Sequence, residues 1–190
     1  MNSAAGNDPE RIAIADGTRT FTYCSMYREW ERYASVFAAL GMTGVNRSRV
    51  GILRSTGAEA VFSIYGLNRV GATVSLIPAY SALTPSRVFQ TIRDENLTDV
   101  IVTDDFAQPG FIQQPIDQAT KPSDDMAFIL HTSGTMSGAG KPVVLSDEAF
   151  NAAAAGFHTM EELKLPWGDL VTAAIVDLSN AYSMIDQIHS

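Results

Sequence analysis

Ten consecutive residues, Thr132 to Lys141, bring together the groups that a chain of phosphates needs. Thr132, Ser133, Thr135 and Ser137 supply short hydroxyls, Gly134, Gly138 and Gly140 supply permissive backbone, and Lys141 supplies one ammonium. Glycines let backbone N–H groups turn inward as an anion nest, and hydroxyls donate without bulk. A lysine adds charge-assisted hydrogen bonds of about 1.5 to 3 kcal/mol each. Two common phosphate-binding patterns do not match. G-x-x-x-x-G-K-[ST] ending on Lys141 would need glycine at Thr135 and a hydroxyl residue at Pro142. G-x-G-x-x-G fails on the spacing of Gly134, Gly138 and Gly140. The same composition also suits a plain polar surface turn, and composition alone does not separate the two.

The elements around this loop follow from hydrophobic periodicity. A helix is predicted near residues 23 to 40, with Met26, Trp30, Tyr33, Ala34, Phe37 and Ala38 on one face, Thr22 as its N-cap and Gly41 as its stop. Arg49 to Ser55 reads as a short buried strand, and 57 to 70 as a helix with Ala60, Val61, Ile64, Leu67 and Val70 inward. Thr73 to Ile77 is β-branched enough for the next strand, which Pro78 ends. Thr84-Pro85 caps and opens a third helix bearing Val88, Phe89 and Ile92, and Thr98 to Thr103 follows as a strand. The pattern then lapses into glutamine, proline and aspartate, so an exposed connection is expected over about 104–125. Met126 to His131 and Val143 to Leu145 read as strands on either side of the loop. Ser146-Asp147-Glu148 caps a helix running to about Leu163. A strand over Val171 to Val176 and a helix over Tyr182 to His189 complete the expectation. Strands alternating with helices predict an α/β fold: a mainly parallel sheet with helices on both faces.

With 190 residues, 46% hydrophobic and 18% charged, the chain is expected to be an ordinary globular one with one core and room for a small second lobe. No apolar run approaches the roughly 20 residues of a membrane span, and Met1 to Thr20 lacks the apolar stretch of a secretory signal. The expected compartment is cytoplasmic. Cys24 is the sole cysteine, and His131, His158 and His189 are widely separated, so neither a disulfide nor a metal cluster is expected. The net charge of −8 divides into about +4 over residues 1–93 and −12 over 94–190. Nucleic acid, which wants a concentrated basic face, is disfavoured. Lys141 is one of three lysines, all in the acidic half, and it stands beside the glycine-rich loop.

Thr132-Ser133-Gly134-Thr135, followed by glycine, Lys141, Pro142 and Val143-Val144-Leu145-Ser146, resembles the phosphate loop of the adenylate-forming superfamily of acyl-CoA synthetases, luciferases and peptide-synthetase adenylation domains. Phe21-Thr22-Tyr23, Arg49-Val50-Gly51-Ile52-Leu53, and Gly71 to Pro78 with Leu83-Thr84-Pro85 resemble earlier segments of that family in order and spacing. The resemblance covers most of residues 20 to 185. The family loop usually reads T-S-G-T-T-G-x-P-K-G; here Met136 replaces a hydroxyl residue, the loop is about one residue longer, and the lysine precedes the proline. Leu178 to Tyr182 resembles a family segment that often reads L-F-H-x-Y, with Asn180 at the position of the histidine that gates the acyl pocket. Asn180 has two readings: an amide that hydrogen-bonds a carboxylate, or a polar residue at a strand end.

The resemblance implies that residues 1–190 are a partial N-terminal adenylation domain, about the first third of such an enzyme. The family's adenine-stacking motif, ribose-binding aspartate and C-terminal lysine would lie beyond Ser190, in a missing C-terminal part. It implies ATP with Mg²⁺, a carboxylic acid substrate, and CoA or a carrier-protein thiol as acceptor. Thr132, Ser133, Gly134, Thr135, Ser137, Gly138 and Lys141 would hold the nucleotide, with no catalytic residue and no protein metal ligand expected. The alternative is a truncated, non-catalytic module that binds a nucleotide or a partner. Three glycines, with Met136 as the one apolar anchor, predict that amides of residues 132–141 exchange with solvent faster than those of Arg49 to Ser55. Equal protection of the two segments in a hydrogen-exchange experiment would remove the physical basis for a phosphate lid.

Overall fold

Isoleucines alternate through Ile12-Ala13-Ile14 up to Asp16-Gly17, and there the chain folds back on itself. Strand β1 (Ile12–Asp16) pairs antiparallel with β2 (Arg19–Thr22). Gly17 takes φ +58°, a conformation that glycine adopts without steric cost. This hairpin goes beyond the elements expected from periodicity, although Asp-Gly between alternating apolar positions is a hairpin signal. The computed structural model describes residues 8–17, 19–53, 56–78, 84–102, 112–113, 127–132, 140–162, 178–179 and 184.

Helix α1 (Tyr23–Ala39) starts where Thr22 Oγ1 accepts the Ser25 amide at 3.2 Å. It stops before Gly41, whose φ is +76°. Tyr33, Ala34 and Phe37 are buried, with Met26 and Trp30 packed against the core; Ala38, expected on the same face, is exposed. Strand β3 (Arg49–Leu53) leads to helix α2 (Gly57–Arg69). Thr56 makes no capping bond to α2; Asp16 Oδ2, from β1, accepts the Ala58 amide at 3.0 Å instead. Ala60, Val61, Ile64 and Leu67 are buried as the pattern requires. The helix is buried on further sides too, because α1 crosses it closely at Gly66.

Strand β4 (Thr73–Ile77) occupies the predicted residues. Helix α3 (Pro85–Asp94) has proline at its first position, but Thr84 makes no side-chain capping bond. Val88 and Ile92 point inward; Phe89 is 51% exposed and contributes little to the core. Strand β5 (Asp99–Val102) follows. Within the expected connection at 104–125, a two-residue strand β6 (Ile112–Gln113) pairs antiparallel with β5. Then come β7 (Phe128–His131), β8 (Pro142–Leu145) and helix α4 (Asp147–Glu162). The expected strand at 171–176 and helix at 182–189 fall outside the described residues, apart from a buried Met184.

The sheet order is β6-β5-β3-β4-β7-β8, with β5, β3, β4 and β7 parallel and the two edge strands antiparallel. Alternate residues feed two cores. Val50, Ile52, Val74, Leu76, Ile101, Phe128 and Leu130 join residues of α1, α2 and α4 on one face. Ile77 and Val100 join Val88, Ile92 and Leu97 beneath α3 on the other. The α/β architecture, mainly parallel with helices on both faces, is therefore the observed one, and it puts the ends of β3, β4, β5 and β7 at one edge.

A Cβ at Gly66 would lie 2.9 Å from Tyr33 Cβ and 3.1 Å from the Ala34 nitrogen. Gly66→Ala is therefore expected to destabilise the fold by about 1 to 3 kcal/mol, read as a lower denaturant midpoint at unchanged slope. A second expectation concerns acid. The Arg19 guanidinium, hydrogen-bonded to Glu59, holds that carboxyl below its ordinary range. A depressed carboxyl stabilises the fold above its ordinary titration range and loses that contribution as pH falls through the folded value. Glu59→Gln should thus cost a little stability near neutrality, and the gap should close as pH falls below about 4. A gap that widens in acid would refute the assignment.

Candidate phosphate-binding site

Strands β7 and β8 pair antiparallel in the register Phe128↔Leu145, Ile129↔Val144, Leu130↔Val143 and His131↔Pro142. This pairing brings the two ends of the glycine-rich segment side by side. They are tied to each other. The Thr132 amide donates to the Lys141 carbonyl at 3.0 Å, and the Lys141 amide donates to Thr132 Oγ1 at 2.9 Å. The threonine hydroxyl oxygen replaces a ladder acceptor, which suits a residue with a short, stiff side chain at a strand terminus.

Because β7 runs parallel to β4, and β4 to β3, the hairpin opens at the carboxyl edge of the sheet. That edge is where open α/β sheets bind ligands. Thr132 and Lys141 are both exposed there, and among the described residues no carboxylate pairs with the Lys141 ammonium. Asp147, the nearest acid along the chain, receives a hydrogen bond from the Asn68 amide at 3.0 Å. Of the residues predicted to hold phosphate, the structure brings Thr132 and Lys141 together. Ser133, Gly134, Thr135, Ser137 and Gly138, and Asn180 of the predicted acyl pocket, lie outside the described residues.

The floor beneath the hairpin holds polar groups that sequence reading missed. His131 Nδ1 lies 3.0 Å from the Leu76 carbonyl oxygen, and Nε2 lies 2.6 Å from Glu95 Oε1. Ser75 Oγ–H donates to the other carboxyl oxygen of Glu95. Arg49 Nη1 donates to the Glu95 carbonyl at 2.8 Å. The side chains of His131 and Glu95 are only 6% and 4% exposed. A histidine closing the apolar run Phe128-Ile129-Leu130 was the available signal; nothing in the periodicity around Glu95 shows a carboxylate entering a sheet face.

The model of the AMP-binding enzyme family matches residues 1–117. Compared by sequence with curated proteins, the chain matches none. Among solved structures it is similar to O-succinylbenzoate coenzyme A synthetase from Bacillus subtilis in complex with AMP, at 20% identity and a TM-score of 0.66, covering 92% of this chain and 48% of that one. It is similar to apo MatB from Rhodopseudomonas palustris at 18% identity and a TM-score of 0.69, covering 94% and 39%. The N-terminal subdomain of NpsA from Klebsiella oxytoca, in complex with 3-hydroxybenzoyl-AMSN, matches at 20% identity and a TM-score of 0.66, covering 98% and 49%. These likenesses show a shared fold, and the chain spans about half the length, or less, of the solved chains it matches.

Replacing the Thr132 hydroxyl tests the closure of the hairpin. Thr132→Val keeps the shape but leaves the Lys141 amide without its acceptor, at a cost of about 1 kcal/mol. Exchange of the Lys141 amide is expected to quicken while amides of β3 keep their rates; an unchanged Lys141 amide would show that the hydroxyl does not close the loop.

Proposed function

The chain belongs to the AMP-binding enzyme family, and from that premise we propose that it is the N-terminal part of an AMP-forming acid–thiol ligase. In this reading a carboxylate attacks the α-phosphorus of ATP, an acyl adenylate forms, and pyrophosphate leaves. The acyl group then passes to CoA or to a pantetheine thiol on a carrier protein. The observation that carries the reading is Lys141, an exposed residue whose backbone is hydrogen-bonded to Thr132 where β7 and β8 meet the carboxyl edge of the sheet. Solved neighbours support the nucleotide: the Bacillus subtilis synthetase has been described with ATP and a magnesium ion, and MatB from Rhodopseudomonas palustris with ATP.

The residues present suit an anion. Lys141 is exposed, with no carboxylate partner among the described residues, and the Thr132 hydroxyl that accepts the Lys141 amide can also donate its O–H to an anion. Ser133, Gly134, Thr135, Ser137 and Gly138 are proposed to complete the contacts to the β- and γ-phosphates. Asn180 is proposed to contact the carboxylate substrate. Mg²⁺ would enter with the nucleotide, whose phosphate oxygens are its preferred hard ligands. The attacking carboxylate is already ionised, so no general base is assigned. Catalysis of this type rests on positioning and neutralisation of charge.

Two measurements test the reading. Millimolar Mg·ATP and tripolyphosphate are each expected to shift the NMR signals of Thr132 and Lys141, and Lys141→Ala should weaken the effect several-fold. Absence of any shift at these residues would overturn the phosphate assignment. The second measurement is carboxylate-dependent ATP–pyrophosphate exchange with fatty, aryl and amino acids. The 190-residue chain alone is expected to show none, with ATP binding at about the millimolar level or weaker, because one phosphate subsite must offset an association cost of at least about 4 kcal/mol. Robust exchange, or micromolar binding abolished by Lys141→Ala, would show that this chain is a complete site.

A further inference from the structure

Directly beneath the hairpin, three side chains from three elements meet out of contact with water. Glu95 follows the last turn of α3, Ser75 is in the middle of β4, and His131 ends β7 one residue before Thr132. Their hydrogen bonds constrain where the protons sit. A backbone carbonyl can only accept, so the contact of His131 Nδ1 with Leu76 O requires a proton on Nδ1. Nε2 then faces Glu95 Oε1 at 2.6 Å. A bare ring lone pair against a bare carboxylate oxygen would repel at that distance, so one further proton lies between them, whichever atom formally carries it. Ser75 occupies the second carboxyl oxygen. With that single shared proton the His131–Glu95 pair is net neutral, which lowers the cost of burying it at 6% and 4% exposure. The nearby guanidinium of Arg49 is engaged with the Glu95 backbone carbonyl.

We propose that Glu95 and His131 are positioning residues that fix the Thr132–Lys141 pairing, by locking the ring of the last β7 residue between the β4 backbone and the end of α3. This deepens the phosphate-loop reading and rests on it. The ring is tied at both nitrogens, so it neither rotates nor slides along the strand. Thr132, the next residue, then closes the hairpin on Lys141 through both of its bonds. A continuous run of contacts thus joins the α3 terminus to the Lys141 backbone. Cutting it at Glu95 leaves a buried imidazole with an unmet nitrogen and a β7 end free to tilt.

The test uses the 190-residue chain without nucleotide. Glu95→Ala is expected to speed exchange of the Thr132 and Lys141 amides by about tenfold or more, with Val50 to Ile52 of β3 unchanged within about twofold. Glu95→Gln should restore protection to within about threefold of the parent, because its amide donates to a neutral Nε2 and its carbonyl still accepts from Ser75. Nitrogen NMR of the parent ring should show a proton on Nδ1 and a second, slowly exchanging proton shared at Nε2. The proposal is overturned if Glu95→Ala leaves Thr132 and Lys141 unaffected, if β3 quickens equally, or if Gln behaves as Ala does. Should Glu95→Ala not fold, an Nε2-only tautomer in the parent ring overturns the proposal by itself. Silence toward Mg·ATP and tripolyphosphate would sink the phosphate reading while leaving these exchange results intact.

Discussion

Parallel strands buried on both faces set the terms for this molecule: any polar group that enters either face must find its partner inside. One face meets the condition with apolar residues alone, from Val50 and Ile52 through Val74, Leu76 and Phe128 to Leu130. The other mixes Ile77 and Val100 with Arg49, Ser75, Glu95 and His131. Those four residues hydrogen-bond one another or nearby backbone, through bonds that reach from β3 and α3 to β4 and β7, while the buried Arg49 Nε itself makes no hydrogen bond. An unpaired member of such a network costs more than any one of its bonds contributes. The cluster therefore links packing to position, holding β7 in register with β4 where Val74 opposes Phe128.

Position matters because the chemistry proposed for this chain depends on placement rather than on a reactive side chain. Lys141 is separated from Thr132 by eight residues, yet it lies beside it because β8 pairs back along β7. The antiparallel pairing at the sheet's edge ties the two described ends of the segment, Thr132 and Lys141, to each other. It leaves the ammonium exposed at the edge where the parallel strands finish. Loops at such edges carry function while the strands beneath carry stability.

The N-terminal part of the fold is held in a different way. The β1–β2 hairpin supplies Asp16 to the amide end of α2 and Arg19 to Glu59 in the first turn of that helix. The Arg19–Glu59 ion pair is exposed and weak, and the Asp16 cap is part-buried. The firmer connection is the close crossing of α1 and α2, where Gly66 lets the backbone around Tyr33 and Ala34 approach. Trp30 and Tyr65 pack across the same interface at a centroid separation of 4.5 Å.

Periodicity by itself determined the helices α1 to α4 and the parallel strands, because a buried face repeats every 3.6 residues in a helix and central strands read as continuous apolar runs. Residue types made Thr132 to Lys141 a candidate for phosphate chemistry, and the resemblance to the adenylate-forming superfamily, rather than composition, favoured that over a plain polar turn. Local patterning could not show Asp16 taking over the capping role at α2 from Thr56, nor Phe89 turned outward on α3. Both depend on what packs nearby. It was silent above all about Glu95 and His131, 36 residues apart. A carboxylate after a helix and a histidine at a strand end look like ordinary surface residues until the sheet brings them within hydrogen-bond reach. Only tertiary structure decided that they meet, because the energy that makes a buried charge tolerable comes from a partner distant in the chain and not from any neighbour in sequence.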